Sequence, residues 1–597
     1  MPGRFVALKA ATLGLFLCAG AVAQEAADSV APEDATPLGA LALSDAVEAA
    51  QQAKAAGKPV RAEDWMIAAA NPYAVEAGAA ILAEGGTAAD AMVAVQAVLG
   101  LVEPQSSGLG GGAFLLWYDA ETGELSSLDG RETAPLAARP TLFQDENGAP
   151  MGFFDAVVGG RSVGVPGTPA LMQEAHRRWG SRSWAGLFTR AISLAEEGFI
   201  VSPRLAAMVA ADAGRLSRDP VARDYFLPMG RPIFEGQLLR NAAYAESLRT
   251  LAGNGTGPFY TGSIAREIVA KVRGHEENPG VLSEIDMALY TVRARAPVCA
   301  AYRGADICGM GPPSSGGLTV GQTLGMLEQH ALGGPDEPEA WRLIGDASRL
   351  AFADRGRYMA DSDYVPVPAQ GLLAEDYLRQ RGALLGGSEA LGTVAPGAPE
   401  FDHSLNLADD ASLELPSTSH ISIVDSFGNA LSMTTTIENA FGSRLMVGGF
   451  LLNNEMTDFS FRSHRGGVPI ANRVEPGKRP RSSMAPTIVM REGAPVAVLG
   501  SPGGSRIIPY VARTLIAHLD WDMDAQEAVS LPHLVNRFGR YDIEEGTAAE
   551  ALAEPLREMG YEVSIRGLNS GLHMIVLGAD GLSGGADPRR EGIALGE

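Results

Sequence analysis

Pro416-Ser417-Thr418-Ser419-His420-Ile421-Ser422-Ile423-Val424-Asp425-Ser426-Phe427-Gly428-Asn429-Ala430-Leu431-Ser432-Met433-Thr434-Thr435-Thr436-Ile437-Glu438-Asn439 is the stretch whose reading decides the fold. Apolar and polar residues alternate on both sides of Asp425–Asn429, and Gly428 suits a positive φ, so the stretch reads as two antiparallel strands joined by a three-residue loop. Pairing Asp425 with Asn429 then sets Thr436 opposite Thr418. The period of two places Thr418, His420, Ser422, Ser432, Thr434, Thr436 and Glu438 on one face, and Ile421, Ile423, Leu431, Met433 and Ile437 on the other. Taken alone, this is a half-buried hairpin with an apolar packed side and a wet hydroxyl side.

A threonine hydroxyl is a weak nucleophile until a base takes its proton. A threonine that becomes a chain N-terminus carries that base as its own α-amine. Here the bond to cut is Ser417–Thr418. Thr418-Ser419-His420-Ile421-Ser422-Ile423-Val424-Asp425, followed by Gly428-Asn429-Ala430, resembles the small-subunit start of the gamma-glutamyltranspeptidases, members of the N-terminal-nucleophile hydrolases. The resemblance implies an α+β fold, the four-layer αββα sandwich, built jointly by a large subunit (24–417) and a small catalytic subunit (418–597) of a self-cleaved precursor. It implies Thr418 as the nucleophile, Thr436 as the residue orienting its hydroxyl, and no cofactor. The substrate it implies is glutathione or another γ-glutamyl compound, whose acyl group passes to water, an amino acid or a peptide.

Other motifs follow in the order of that family. Asp129-Gly130-Arg131-Glu132-Thr133-Ala134-Pro135 resembles the large-subunit motif whose arginine holds the substrate α-carboxylate, and the planar fork of Arg131 suits that task. Glu455 and Asp458 lie three positions apart, so a helical turn would set both on one face as acceptors for the substrate ammonium. Ser482 and Ser483 match the paired serines beside the carboxylate. Gly503 and Gly504 match the oxyanion loop, where backbone N–H groups must approach without a Cβ in the way. Gly311–Gly317 and Leu350–Arg355 also resemble the family and are read as structural. Residues 461–478 correspond to a loop that lids the pocket in some relatives, and 392–416 read as a tail that becomes flexible once the following bond is cut. Glu438 replaces an asparagine common in the family and joins the substrate-binding set. His420 reads as a satisfied structural histidine rather than a base.

Composition sets the outer bounds. The chain has 597 residues, 46% hydrophobic, enough for a large core. Its formal charge of −24 argues against nucleic acid or an anionic membrane surface as the main partner. Residues 1–23 have the basic start, apolar run and Ala21-Val22-Ala23 end of a secretory signal, with no later stretch long enough to span a membrane, so a periplasmic or secreted protein is expected. Lipidation at Cys18 is the weaker reading. Residues 24–60 read as a flexible tether with one helix from Leu43 to Ala55. Cys299 and Cys308 oppose each other in a hairpin turned by Arg303-Gly304, so a disulfide is expected, two buried thiols being the alternative. These two cysteines, the ones that remain beyond the signal segment, and the lack of a His-Glu-x-x-His give no zinc signal. Two other functions stay open: a β-lactam acylase of the same fold taking glutaryl-type groups, against which Asp458 argues, and a non-catalytic binding protein, which would tolerate loss of Thr418 or the glycine pair.

Overall fold

The computed structural model describes residues 43–597 except 411, 413, 414 and 416, so the signal segment and the first part of the tether lie outside the described residues. Two seven-stranded antiparallel sheets form the centre. Their strands are β1 (Val60–Ala62), β2 (Met66–Ala69), β3 (Gly112–Tyr118), β4 (Leu125–Gly130), β5 (Arg293–Arg295), β6 (Val298–Tyr302) and β7 (Ala305–Gly309), then β8 (Ser419–Val424), β9 (Ala430–Thr436), β10 (Thr487–Arg491), β11 (Ala494–Gly500), β12 (His573–Gly578), β13 (Gly581–Ala586) and β14 (Ile593–Gly596). One sheet runs β14-β2-β8-β9-β3-β4-β5 and the other β1-β13-β12-β11-β10-β7-β6. Strands from both sides of Thr418 interleave in each sheet, so neither segment could complete a sheet alone.

The sheets pack face to face and helices cover the outer sides, giving the four-layer αββα sandwich. Ile421, Ile423, Leu431 and Met433 face outward into a core shared with the helices Pro72–Ala83 and Ala88–Val102. Asn71 caps the first of these, accepting from the Tyr73 N–H at 3.0 Å, and Thr87 with Asp90 forms a reciprocal capping box on the second. On the other side, Gly316–Leu327, Pro338–Tyr358 and Ile507–Leu519 close over the second sheet.

The hairpin pairs as its alternation predicts: Ser419 lies opposite Thr435 and Val424 opposite Ala430, so Thr418 faces Thr436. Its hydroxyl face is not wet, however. Every residue of β8 and β9 is buried, because that face meets the second sheet. The polar groups there are satisfied within the protein. Ser432 Oγ donates to the Leu499 carbonyl at 3.0 Å and accepts from the Thr487 N–H at 3.0 Å. His420 abuts Gly500, where a Cβ would come within 2.3 Å of the imidazole ring. An unsatisfied buried hydroxyl costs about 1–3 kcal/mol, so each of these pairings favours the closed layers.

The expected tether is ordered from Leu43 onward. A helix spans Asp45–Ala55 and buries Val47 and Ala50, and Lys54 Nζ donates to the carbonyls of Arg590 and Gly592. β1 then pairs with β13. Alanine-rich composition resembles a linker, but these small side chains pack closely once the C-terminal strands supply a surface. At the opposite edge, β6 and β7 carry a Cys299–Cys308 disulfide between directly paired residues.

Candidate active site

Thr418 sits just before β8 and is buried. Its Oγ1 is in hydrogen-bond contact with the Ser417 carbonyl oxygen and lies 3.3 Å from Thr436 Oγ1. The Thr436 hydroxyl donates to the same carbonyl at 3.2 Å and accepts the Glu438 N–H at 2.8 Å. The carbonyl side of the junction is anchored too, because Ser417 Oγ donates to the Gln105 carbonyl at 2.6 Å. The hydroxyl and the preceding peptide are therefore held together in one small, buried space. Arg590 Nη1 donates to the Thr418 carbonyl at 3.2 Å.

Beside Thr418 lies a cavity of about 20 Å³. Arg131, Glu438, Glu455, Asp458, Ser482, Ser483 and Gly504 line it, together with Leu415 and Ser417 of the uncut chain. Arg131 follows β4 directly, and its guanidinium pairs with both Glu455 and Asp458. Nη2 also donates to the Arg481 carbonyl at 3.0 Å, and Nε to the Pro480 carbonyl at 3.3 Å. Burial opposes the Arg131 charge, but the carboxylates of Glu455 and Asp458 outweigh it and hold the guanidinium protonated. A 3₁₀ turn over Glu455–Asp458 places these two side chains together.

The carboxyl groups outnumber this one cation. Glu132 is fully buried with no hydrogen-bond partner on either oxygen; burial, followed by the Glu455 carboxylate, pushes it well above the usual carboxylate range. Glu438 is displaced in the same direction by burial, then by Asp458 and Glu455. It accepts from Asn454 Nδ2 and, at 3.3 Å, from the Leu415 N–H.

Ser482 and Ser483 join the pocket on its other wall. Ser483 Oγ accepts from Arg355 Nη2 at 2.7 Å, while the Ser482 carbonyl accepts from the Ser315 N–H and hydroxyl. Gly504 reaches the cavity with φ +58°. Gly503 is not among its lining residues and turns the loop at φ +138°, where a Cβ would meet the Tyr510 ring at 2.9 Å. His420 does not reach the cavity; its ring nitrogens contact Thr434 Oγ1 at 2.9 Å and Ser422 Oγ at 3.0 Å. Burial, then neighbouring His573, keeps it well below its ordinary value, hence neutral. Among the described residues no cluster suited to a metal ion occurs.

A profile of the family described as Gamma-glutamyltranspeptidase matches residues 74–597. The chain belongs to the gamma-glutamyltranspeptidase family. A glutathione hydrolase proenzyme of Bacillus subtilis (strain 168) is 37% identical over 548 residues, 89% of this chain and 92% of that protein. The Acylase ACY 1 proenzyme of Pseudomonas sp. (strain SE83) is 34% identical, covering 90% and 94%. Among solved structures, a cephalosporin acylase from Bacillus halodurans superposes with a TM-score of 0.80 at 26% identity, over 90% of this chain and 97% of that one.

Two residues at this family site were not singled out from the sequence. Arg355 closes the motif Leu350–Arg355, which was read as structural, yet its guanidinium bonds directly to Ser483. Arg590 lies in the C-terminal run Gly585–Gly592, and no local spacing along the chain marks its contact with Thr418. Within residues 461–478, His464–Arg465 pairs with Val468–Pro469 in a short hairpin whose first strand is exposed, while Ile470, Ala471, Asn472, Val474 and Lys478 are buried.

Proposed function

We propose that this chain is a self-processing γ-glutamyltransferase and glutathione hydrolase with Thr418 as its nucleophile. One observation carries the reading: Thr418 Oγ1 is held against the Ser417 carbonyl by Thr436, next to a pocket that pairs a guanidinium with two carboxylates. In self-cleavage, Oγ attacks the Ser417 carbonyl carbon and the acyl group moves from nitrogen to oxygen. Water then hydrolyses the ester, leaving a Ser417 carboxylate and a free Thr418 amine. The large and small subunits stay together as a heterodimer because their strands interleave.

In the cut enzyme the amine takes the proton from Thr418 Oγ, which attacks the γ-amide of glutathione or a related compound. Backbone N–H groups of Gly503 and Gly504 receive the oxyanion. Arg131, Ser482 and Ser483 bind the α-carboxylate, and Glu455 and Asp458, with Glu438, bind the α-ammonium. Hydrogen-bonded charges reject analogues lacking them more strongly than shape does. The γ-glutamyl-enzyme passes to water or to an amino acid or peptide, with no cofactor. Export to the periplasm or medium fits the N-terminal segment, the Cys299–Cys308 disulfide and the lack of a helix long and apolar enough to cross a membrane among the described residues.

The similarity to acylases favours one second reading, a β-lactam side-chain acylase. Intact mass of the purified protein and parallel assays with γ-glutamyl and glutaryl anilides separate the two. The expected result is a cut at Ser417–Thr418 and preferential γ-glutamyl turnover. Faster glutaryl turnover would replace the transferase by the acylase, and an uncut, inactive chain would remove both.

A further inference from the structure

The turn Asp587–Gly592 joins three parts of the molecule. Lys54 of the N-terminal helix holds the carbonyls of Arg590 and Gly592, and Asn71 Nδ2 donates to Glu591 Oε1 at 3.0 Å. Both donors belong to the segment before Thr418. From the same turn the Arg590 side chain runs inward, buried to 3% exposure. Its Nε donates to Asn569 Oδ1 at 2.8 Å and its Nη1 to the Thr418 carbonyl at 3.2 Å. Its stem lies against Gly571, where a Cβ would come within 2.8 Å of both Arg590 Cδ and Pro502 Cγ. Pro502 opens the Gly503-Gly504 loop. One arginine thus grips the residue proposed as nucleophile and packs beside the loop proposed for the oxyanion.

We infer that Arg590 is a positioning residue for the reaction: it fixes the Thr418 main chain and, as a cation beside it, disfavours protonation of the amine that must act as base. This rests on the Thr418 reading above. Covalent geometry keeps a residue's nitrogen close to its own carbonyl oxygen, so the guanidinium lies within roughly 7 Å of the Thr418 nitrogen. A like charge at such range disfavours the ammonium form. The other charged groups around Thr418 are Glu455 and Asp458 with Arg131 across the pocket, Glu438 being pushed toward its neutral form by burial beside them. Acids there favour the ammonium, and Arg590 opposes them. Lys54 lies behind Arg590, His420 and His573 are kept neutral by burial, and Asp587 is engaged by Ser570, Gly571 and Arg589.

The test compares the full wild-type chain with Arg590→Met and Arg590→Lys, following self-cleavage by intact mass and kcat and KM for a γ-glutamyl anilide from pH 5 to 10. For Arg590→Met the expectation is slower cutting, a kcat about tenfold lower at pH 7 with donor KM little changed, and an acid limb moved up by about one pH unit. Arg590→Lys should keep the limb in place. An Arg590→Met limb that coincides with wild type, or a loss equal at every pH, overturns the inference. If Arg590→Met melts normally but does not cut itself, Lys54→Met decides: an acid limb moved upward supports the inference and an unmoved one overturns it. A wild-type chain that neither cuts itself nor turns over a donor instead sinks the Thr418 reading.

Discussion

The two walls of the active site are built on opposite electrostatic plans. Around Thr418 the hairpin side chains are hydroxyls and a neutral histidine, with Arg590 bonded to the Thr418 carbonyl from the C-terminal turn, and most find partners inside the fold. Across the cavity, Arg131 pairs with Glu455 and Asp458 beside Glu438, and the buried carboxyl of the adjoining Glu132 has no hydrogen-bond partner. The first wall holds one oxygen in place. The second keeps charge paired with itself, and in the proposed reaction a zwitterionic substrate exchanges partners with it. Under the proposed function, position rests on satisfied hydrogen bonds and selectivity on ions that are costly to bury unpaired.

The largest expected break comes from Thr418→Ala. It removes the hydroxyl from the neutral wall, so intact mass should show one uncut chain and donor turnover should fall by more than about a thousandfold. Cutting at wild-type rate in this variant would show that the wall positions some other nucleophile. Asp458→Asn acts on the charged wall and leaves Arg131 paired with Glu455. Turnover of γ-glutamyl anilide should fall by about 10²-fold in kcat/KM, while glutaryl anilide, which has no α-ammonium, should change little. Equal losses for both would erase the distinction between the walls.

The smallest effect expected is on stability. Burial beside Asp458 and Glu455 keeps Glu438 protonated in the fold at pH values where the unfolded chain would ionise it. The folded state then binds more protons, so the stability held below the ordinary carboxylate value of about 4.3 declines as pH rises through the folded value. Glu438→Gln should therefore melt like wild type at pH 4 and roughly 2–4 °C higher at pH 8. A lower melting temperature at pH 8 would mean that the charged wall needs the ionised acid.

Much of the neutral wall was legible because its order is local. Gly428 and the alternation around it set the hairpin register, which brought Thr436 opposite Thr418. The spacing of Thr87 and Asp90 is that of a capping box, which the structure forms, and the turn at Arg303-Gly304 paired Cys299 with Cys308. The motifs also named Arg131, Glu455, Asp458 and the two serines, all of which line one cavity.

The amino-acid sequence by itself determined these registers, caps and motif residues, since each depends on spacing along a few neighbouring positions. Only the tertiary structure decided that the hydroxyl face lies between two sheets, that Arg131 is already paired with both acids, and that Arg355 and Arg590 reach Ser483 and Thr418. It likewise turned residues 43–60 from a tether into a clamp on the C-terminal turn. The physical reason is that periodicity tells which residues share a face, whereas burial and ion pairing depend on what distant part of the chain comes to cover it.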